Sequence, residues 1–298
     1  MYPLMFSLMH GLSPEAWLRR AGAGLPCLAL VALLSGCASP PEAPVIRPLT
    51  GSVLAATGSR LDALLPTDLL LLGEQHDAKE HQQIEQQVIA LLAQRGLLAA
   101  VALEMADAGL STASLHPSST EQQAQSALKW RNKAWPWEAY GPAVMTAVRA
   151  GVPVLGANLP RSQMQASMAD GQLDTQLPGP ALKAQQQMIR LGHCNLLPEG
   201  HITPMTRVQL AKDISMAHTL SQAVLPGKVV VLLAGSGHVD RTLGVPQHLR
   251  AGLKVKTVQL RAGDAGPSDS GAAFDATWPT PALPDVDHCA EFKAQMGR

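Results

Sequence analysis

The chain has 298 residues, 46% of them hydrophobic, which is enough apolar surface for one large domain or two small ones. Lysine plus arginine and aspartate plus glutamate number 23 each, so no basic field exists to attract nucleic acid, and that class of partner is disfavoured. Only 15% of residues are charged and 3% aromatic, which leaves packing to aliphatic and methionine side chains.

Residues 1–36 read as a signal peptide. Arg19 and Arg20 precede an apolar run from Leu25 to Leu34, too short to span a bilayer comfortably, that ends in Leu34-Ser35-Gly36-Cys37. This resembles a bacterial lipobox, in which Cys37 is acylated and becomes the mature N-terminus. Ala38 after it implies, by the same resemblance, the outer membrane. Lipid would then hold the protein at the periplasm-facing surface rather than across the bilayer. An ordinary secretory signal cut nearby is the alternative. "ASPPEAPVIRPLT", from Ala38, is rich in Pro and Ala and reads as a tether, so 37–60 is assigned to a lipidated tether and 61–298 to the folded domain.

Within that domain apolar strands alternate with helices. Leu69–Leu72 is the first strand candidate. Ile84, Val88, Leu91 and Leu92 then recur on one helix face. Ala99–Leu103 reads as a second strand and Val152–Leu155 as a third, after a helix near 138–150. Residues 162–225 read as a helical insertion, with Thr203 as an N-cap, Pro204 at N1, and Leu210, Ile214, Ala217 and Leu220 on one face. "KVVVLLAG", from Lys228, is the clearest strand, and Lys254–Leu260 is the last. Residues 265–285, rich in Gly, Ser, Pro and Asp, read as an irregular segment. The pattern predicts an α/β fold: a mainly parallel sheet flanked by helices, with a helical insertion.

Parallel strands end along one edge, where open α/β sheets bind ligands. The strand exits carry Gly73-Glu74-Gln75-His76, then Glu104, then Asn158 and Arg161, then Gly235-Ser236-Gly237-His238. Imidazoles and carboxylates gathered in one crevice suit a divalent transition metal or general acid–base work. Each residue also has a plain structural reading: His76 as a helix cap, His238 on a backbone carbonyl, Glu104 neutralised by Arg161. "HDAKEH" is no zincin helix, because His76 and His81 are roughly 140° apart around a helix. "GSGHVD" lacks the third glycine of a dinucleotide fingerprint. His193, His201, His218 and Asp213 read as solvated helix ends and loops. Cys194 and Cys289 remain after Cys27 leaves with the signal and Cys37 takes lipid. In an oxidising compartment they invite a disulfide that ties the C-terminal tail to the body; two free thiols, or a metal cluster with His193 and His288, are the alternatives.

"GEQHDAKEHQ", "LEM", "WPWEAYGP", "GVPVLGANLPR", "LGHCNLLPEG", "RVQLAKDISMA" and "GSGHVDRTLGVPQHL" follow one another in an order that resembles the ChaN-like haem-binding lipoproteins. That family is similar to the Tiki, TraB and erythromycin-esterase group. The likeness runs from about residue 66 to 262. It implies an iron-linked outer-membrane lipoprotein that binds haem, sometimes as a homodimer with haems between subunits, through a tyrosine aided by a histidine. Tyr140 is the single tyrosine after the signal and so the haem-ligand candidate; the alternative is a helix residue with a bonded hydroxyl. Met164, Met168 and Met188 are candidates for an apolar haem wall. The Tiki likeness implies instead a metal-dependent hydrolase, with Gly73/His76, Glu104 and Gly235/His238 holding the metal or activating water, Arg161 steadying an oxyanion and Glu74 as a spare base. A periplasmic binding or scaffold lipoprotein without chemistry is the third reading.

Overall fold

The computed structural model describes residues 51–263 and 273–296; the signal segment, Cys37 and the tether to residue 50 lie outside them. The sheet is built from β1 (Leu69–Glu74), β2 (Leu98–Asp107), β3 (Val154–Asn158), β4 (Val229–Gly235), β5 (Val255–Ala262) and β6 (Ala276–Thr280). Their order is β3-β2-β4-β1-β5-β6, and every pairing is parallel. A parallel sheet is covered on both faces, which is why β1 and β4 are continuous apolar runs, buried throughout, rather than alternating ones.

The pleat sends successive side chains to opposite layers. Leu70, Leu72, Val101, Leu103, Val231 and Leu233 meet Val88 and Leu92 of α2 (Lys79–Gln94) and Val144 and Val148 of α4 (Trp137–Arg149). Leu69, Leu71, Ala102, Val230 and Leu232 meet Met216, Ala217 and Leu220 of α7 (Glu199–Ala223). Truncating any of these leucines to alanine would cost about 2–5 kcal/mol.

The chain leaves β1 through α2 on one face and leaves β4 on the other face, toward β5. β1 and β4 are neighbours whose exits diverge. That divergence opens a crevice at their carboxyl ends, the topological switch point.

The details depart from the sequence pattern at several points. The insertion comprises α5 (Arg161–Ala169), a 3-10 turn (Gly171–Thr175), α6 (Gly179–Gly192) and α7. Helix α7 starts at Glu199 after Pro198, so Pro204 lies inside it rather than at its first position. Burial of Val208, Leu210, Met216 and Leu220 outweighs the missing proline donor. The segment expected to be irregular contains β6, whose Trp278 is buried against the α2 side; Pro279 is tolerated because β6 is an edge strand. Residues Gly51–Asp62 form helix α1, with Leu61 buried and Thr57 donating to Gln87 Oε1 at 2.5 Å, so the domain begins within the stretch read as tether. Among the described residues no helix is long and apolar enough to cross a membrane.

Candidate functional site

At the end of β1 the backbone needs glycine. A Cβ on Gly73 would lie 2.8 Å from the Cα of Ser236, where the β4 exit turns over it. Two hydrogen bonds hold the loop beyond: Gln75 N–H donates to His81 Nδ1 at 2.9 Å, and Gln75 Oε1 accepts from Ala262 N–H at 2.8 Å. The loop sets His76 beside Glu74, with Nδ1 2.6 Å from Oε1. Glu74 is fully buried and also accepts from Tyr140 OH at 2.8 Å and from Gln82 Nε2 at 2.8 Å. A carboxylate ringed by donors assigns the proton of His76 to Nδ1 and leaves the lone pair on Nε2. That Nε2 is buried and has no hydrogen-bond partner. Trp135 packs on the ring in a T-shaped arrangement, with ring centroids 4.7 Å apart.

Glu104 lies where β2 bulges against β3: Leu103 pairs with Gly156, but the next pairing is Asp107 with Asn158. Bulges of this kind re-aim side chains beside functional sites. Its carboxylate sits between the two imidazoles, 3.6 Å from His76 Nε2 and 3.3 Å from His238 Nε2, and Oε2 accepts from Gly235 N–H at 2.8 Å. Burial disfavours its charge, but its cationic neighbours, His238 foremost and Lys212 with it, more than reverse that and hold the acid well below the carboxylate range. His238 donates from Nδ1 to Asp213 Oδ1 at 2.5 Å. Burial opposes its protonation, yet Glu104 and Asp213 push it up to about 9, so it is an imidazolium at neutral pH. Burial lifts Asp213 to about 6 against the pull of His238.

His76, Glu104 and His238 thus share the floor of one cavity of about 570 Å³, counting the space that opens to solvent. Met188, Ile189 and His193 of the α6 region and Gln209 and Lys212 of α7 line its walls.

The other sequence candidates fall at different distances from this floor. Asn158 supports it, donating from Nδ2 to the Glu104 carbonyl at 2.7 Å. Arg161 is exposed at the start of α5 and pairs with no carboxylate among the described residues; His238 and Lys212 neutralise Glu104 instead. Tyr140 is 1% exposed, beneath His76, and burial together with Glu74, Glu85 and Glu104 pushes its hydroxyl far above the usual phenol range. Of the methionines Met188 lines the cavity, while Met164 packs on Leu159 and Leu173. His201 and His218 are exposed, as expected of solvated ends. His193 and Asp213 are not: they are 4% and 0% exposed, and both belong to the site. A charged residue on a helix looks the same in sequence whether it faces water or a buried partner. Cys194 and Cys289 are bridged, with their Cα atoms 5.6 Å apart, which removes the thiol alternatives.

The floor fits one of the two groups that the sequence suggests and not the other. Among the described residues no three His, Cys, Asp or Glu side chains are arranged to hold a metal ion. The unpartnered Nε2 of His76, with Nδ1 held by a carboxylate, is a donor that would hold a haem iron.

A doubly covered parallel sheet with imidazoles and carboxylates gathered at its switch point defines an α/β protein with a strand-edge ligand site. The family described as "Haem-binding uptake, Tiki superfamily, ChaN" matches residues 60–249. The chain belongs to this family. No curated protein matches it significantly. Among solved structures it is similar to the ChaN of Campylobacter jejuni, described as binding haem cofacially, at 26% identity and a TM-score of 0.58 over 73% of this chain and 89% of that one. It also matches the type III effector HopBA1 (15% identity, TM-score 0.43, 76% of this chain, 94% of that one). The erythromycin esterase EreC in its open conformation is a further match (15%, 0.43, 68% and 72%).

Proposed function

We propose that the chain binds haem in the cavity at the ends of β1 and β4, and that Nε2 of His76 is the nitrogen offered to the iron. One observation carries the reading: a buried imidazole nitrogen with no partner, on a ring whose other nitrogen is held by Glu74. Histidines that ligate metals are oriented in this way by carboxylates. Bound haem would supply an iron centre with redox and Lewis-acid chemistry. The protein's own residues do the rest: Glu74 fixes the ring, Trp135 packs on it, and Met188 and Ile189 give the macrocycle an apolar wall. Tyr140 acts through Glu74, because ionising its hydroxyl would set a second negative charge against that carboxylate.

The family and the Campylobacter protein support haem as the ligand. The Leu34-Ser35-Gly36-Cys37 stretch supports a lipid anchor on Cys37, Ala38 after it supports a place on the periplasmic side of the outer membrane, and the family supports a part in iron uptake or haem handling. Leu191 and Leu196, exposed beside cavity-lining Gly192 and His193, would suit contact with a second copy around the ligand.

The test is to titrate the soluble domain, without signal and tether, with haem. Wild type should give a shifted Soret band with imidazole character, and His76→Ala should lose it. An unchanged spectrum on mixing would refute haem binding, and an unaltered His76→Ala spectrum would refute the ligand. Membrane fractionation of full-length Cys37→Ser checks the anchor; the same distribution as wild type would remove it.

A further inference from the structure

The cavity holds one more group that the haem reading leaves unused. Lys212, on α7, is 7% exposed and lines the cavity together with Met188 and Ile189. Among the described residues it makes no hydrogen bond and no ion pair, although its charge is felt at Glu104 and Asp213. The reason is geometric. Asp213 is its neighbour in the helix, and consecutive side chains diverge by about 100°. Asp213 Oδ1 is taken by His238, and Glu104 is already set between His238, His76 and the Gly235 N–H. Most of the Lys212 side chain is buried while its amino group is left without a protein partner at the cavity, a position that an anion bound there would complete.

We propose that Lys212 is the carboxylate subsite of the cavity, so that its ligand is an amphipathic anion with an apolar body against Met188 and Ile189 and a carboxylate on the Lys212 ammonium. This rests on the haem reading for one source of that carboxylate, the acid side chains of the porphyrin. The chemistry of the subsite is common to any flat apolar carboxylate. Glu104 does not preclude it, because its charge is offset by the imidazolium of His238 on the same floor.

The experiment compares iron protoporphyrin with its dimethyl ester, which keeps macrocycle and iron and lacks both carboxylates, by absorbance titration in the same detergent. Wild type should bind the acid at least about tenfold more tightly, the worth of one charge-assisted hydrogen bond. Lys212→Met should bind acid and ester alike, at the wild-type affinity for the ester, and Lys212→Arg should restore the preference. Equal affinities in wild type would overturn the proposal. Should neither porphyrin bind, the haem reading falls by itself, and the subsite is judged on the free protein with 2-naphthoate against 2-naphthalenemethanol. A rise in melting temperature with the carboxylate alone, absent in Lys212→Met, sustains it. The same response to both compounds, or to neither, overturns it.

Discussion

Glu74 and His76 are two residues apart at the end of β1, and the carboxylate oxygen of the first lies 2.6 Å from Nδ1 of the second. Their pairing decides which ring nitrogen has a free lone pair. Replacing Glu74 with glutamine keeps the size and removes the charge. The Glu74→Gln protein should bind haem about 10–100-fold more weakly, the usual effect of losing a carboxylate behind a ligating histidine. A haem titration checks this; an unchanged affinity would mean that Trp135 and the Tyr140 hydroxyl orient His76 without the Glu74 charge.

Tyr140 distinguishes two kinds of haem site. Were it the iron ligand, Tyr140→Phe would remove the Soret shift. Its buried hydroxyl donates to Glu74, so the variant should instead keep an imidazole-type spectrum and lose about 1.5–3 kcal/mol of stability, the range for a hydrogen bond to a charged acceptor. Denaturant unfolding and the absorbance spectrum of one preparation separate these outcomes.

The strand exits were legible in the sequence because a parallel sheet leaves little choice: buried runs such as Leu69–Leu72 and Val229–Leu233 are continuous, and their ends must share an edge. Which acid meets which imidazole was not legible. Glu74 is two residues from His76, but Asp213 reaches His238 across 25 residues. Lys212, Asp213 and Gln209 lie on a helix whose polar residues give no sign of facing inward. Arg161 looked like the counter-charge for Glu104 because both follow strands, yet β3 ends at Asn158 and the guanidinium starts a helix beyond the edge. β6 is short and contains a proline, so neither alternation nor length announced it.

His238 gives the site a pH signature. Its pKa is raised from 6.5 to about 9, because the attraction of Glu104 and Asp213 exceeds the effect of burial. A raised folded-state pKa contributes stability that is fully present below pH 6.5 and is lost as the pH rises through about 9. The shift is worth roughly 3 kcal/mol. The haem-free protein should therefore melt about 5–10 °C lower at high pH than at the low end of that window. His238→Gln should flatten this limb. Glu104, whose pKa is lowered, acts in the opposite direction and weakens the fold only in acid. Thermal melts across the window check the slope, and a flat profile in wild type would mean that His238 is not held as an imidazolium.

The bridge between Cys194 and Cys289 closes a loop of sequence separation 95 that contains α7, β4, β5 and β6. Removing a crosslink of that span commonly costs about 2–4 kcal/mol. Its position makes the loss uneven. Cys194 directly follows His193, at the end of the α6 wall, whereas the floor residues on β1, β2 and β4 are held by the sheet. In Cys194→Ser/Cys289→Ser the amides of α6 should therefore exchange faster than those of β1 and β4, and haem should dissociate faster with its Soret maximum in place. Hydrogen exchange resolved by segment, with haem transfer to an acceptor protein, measures both. Uniform acceleration across wall and floor would show that the bridge stabilises the whole domain and has no separate hold on the cavity.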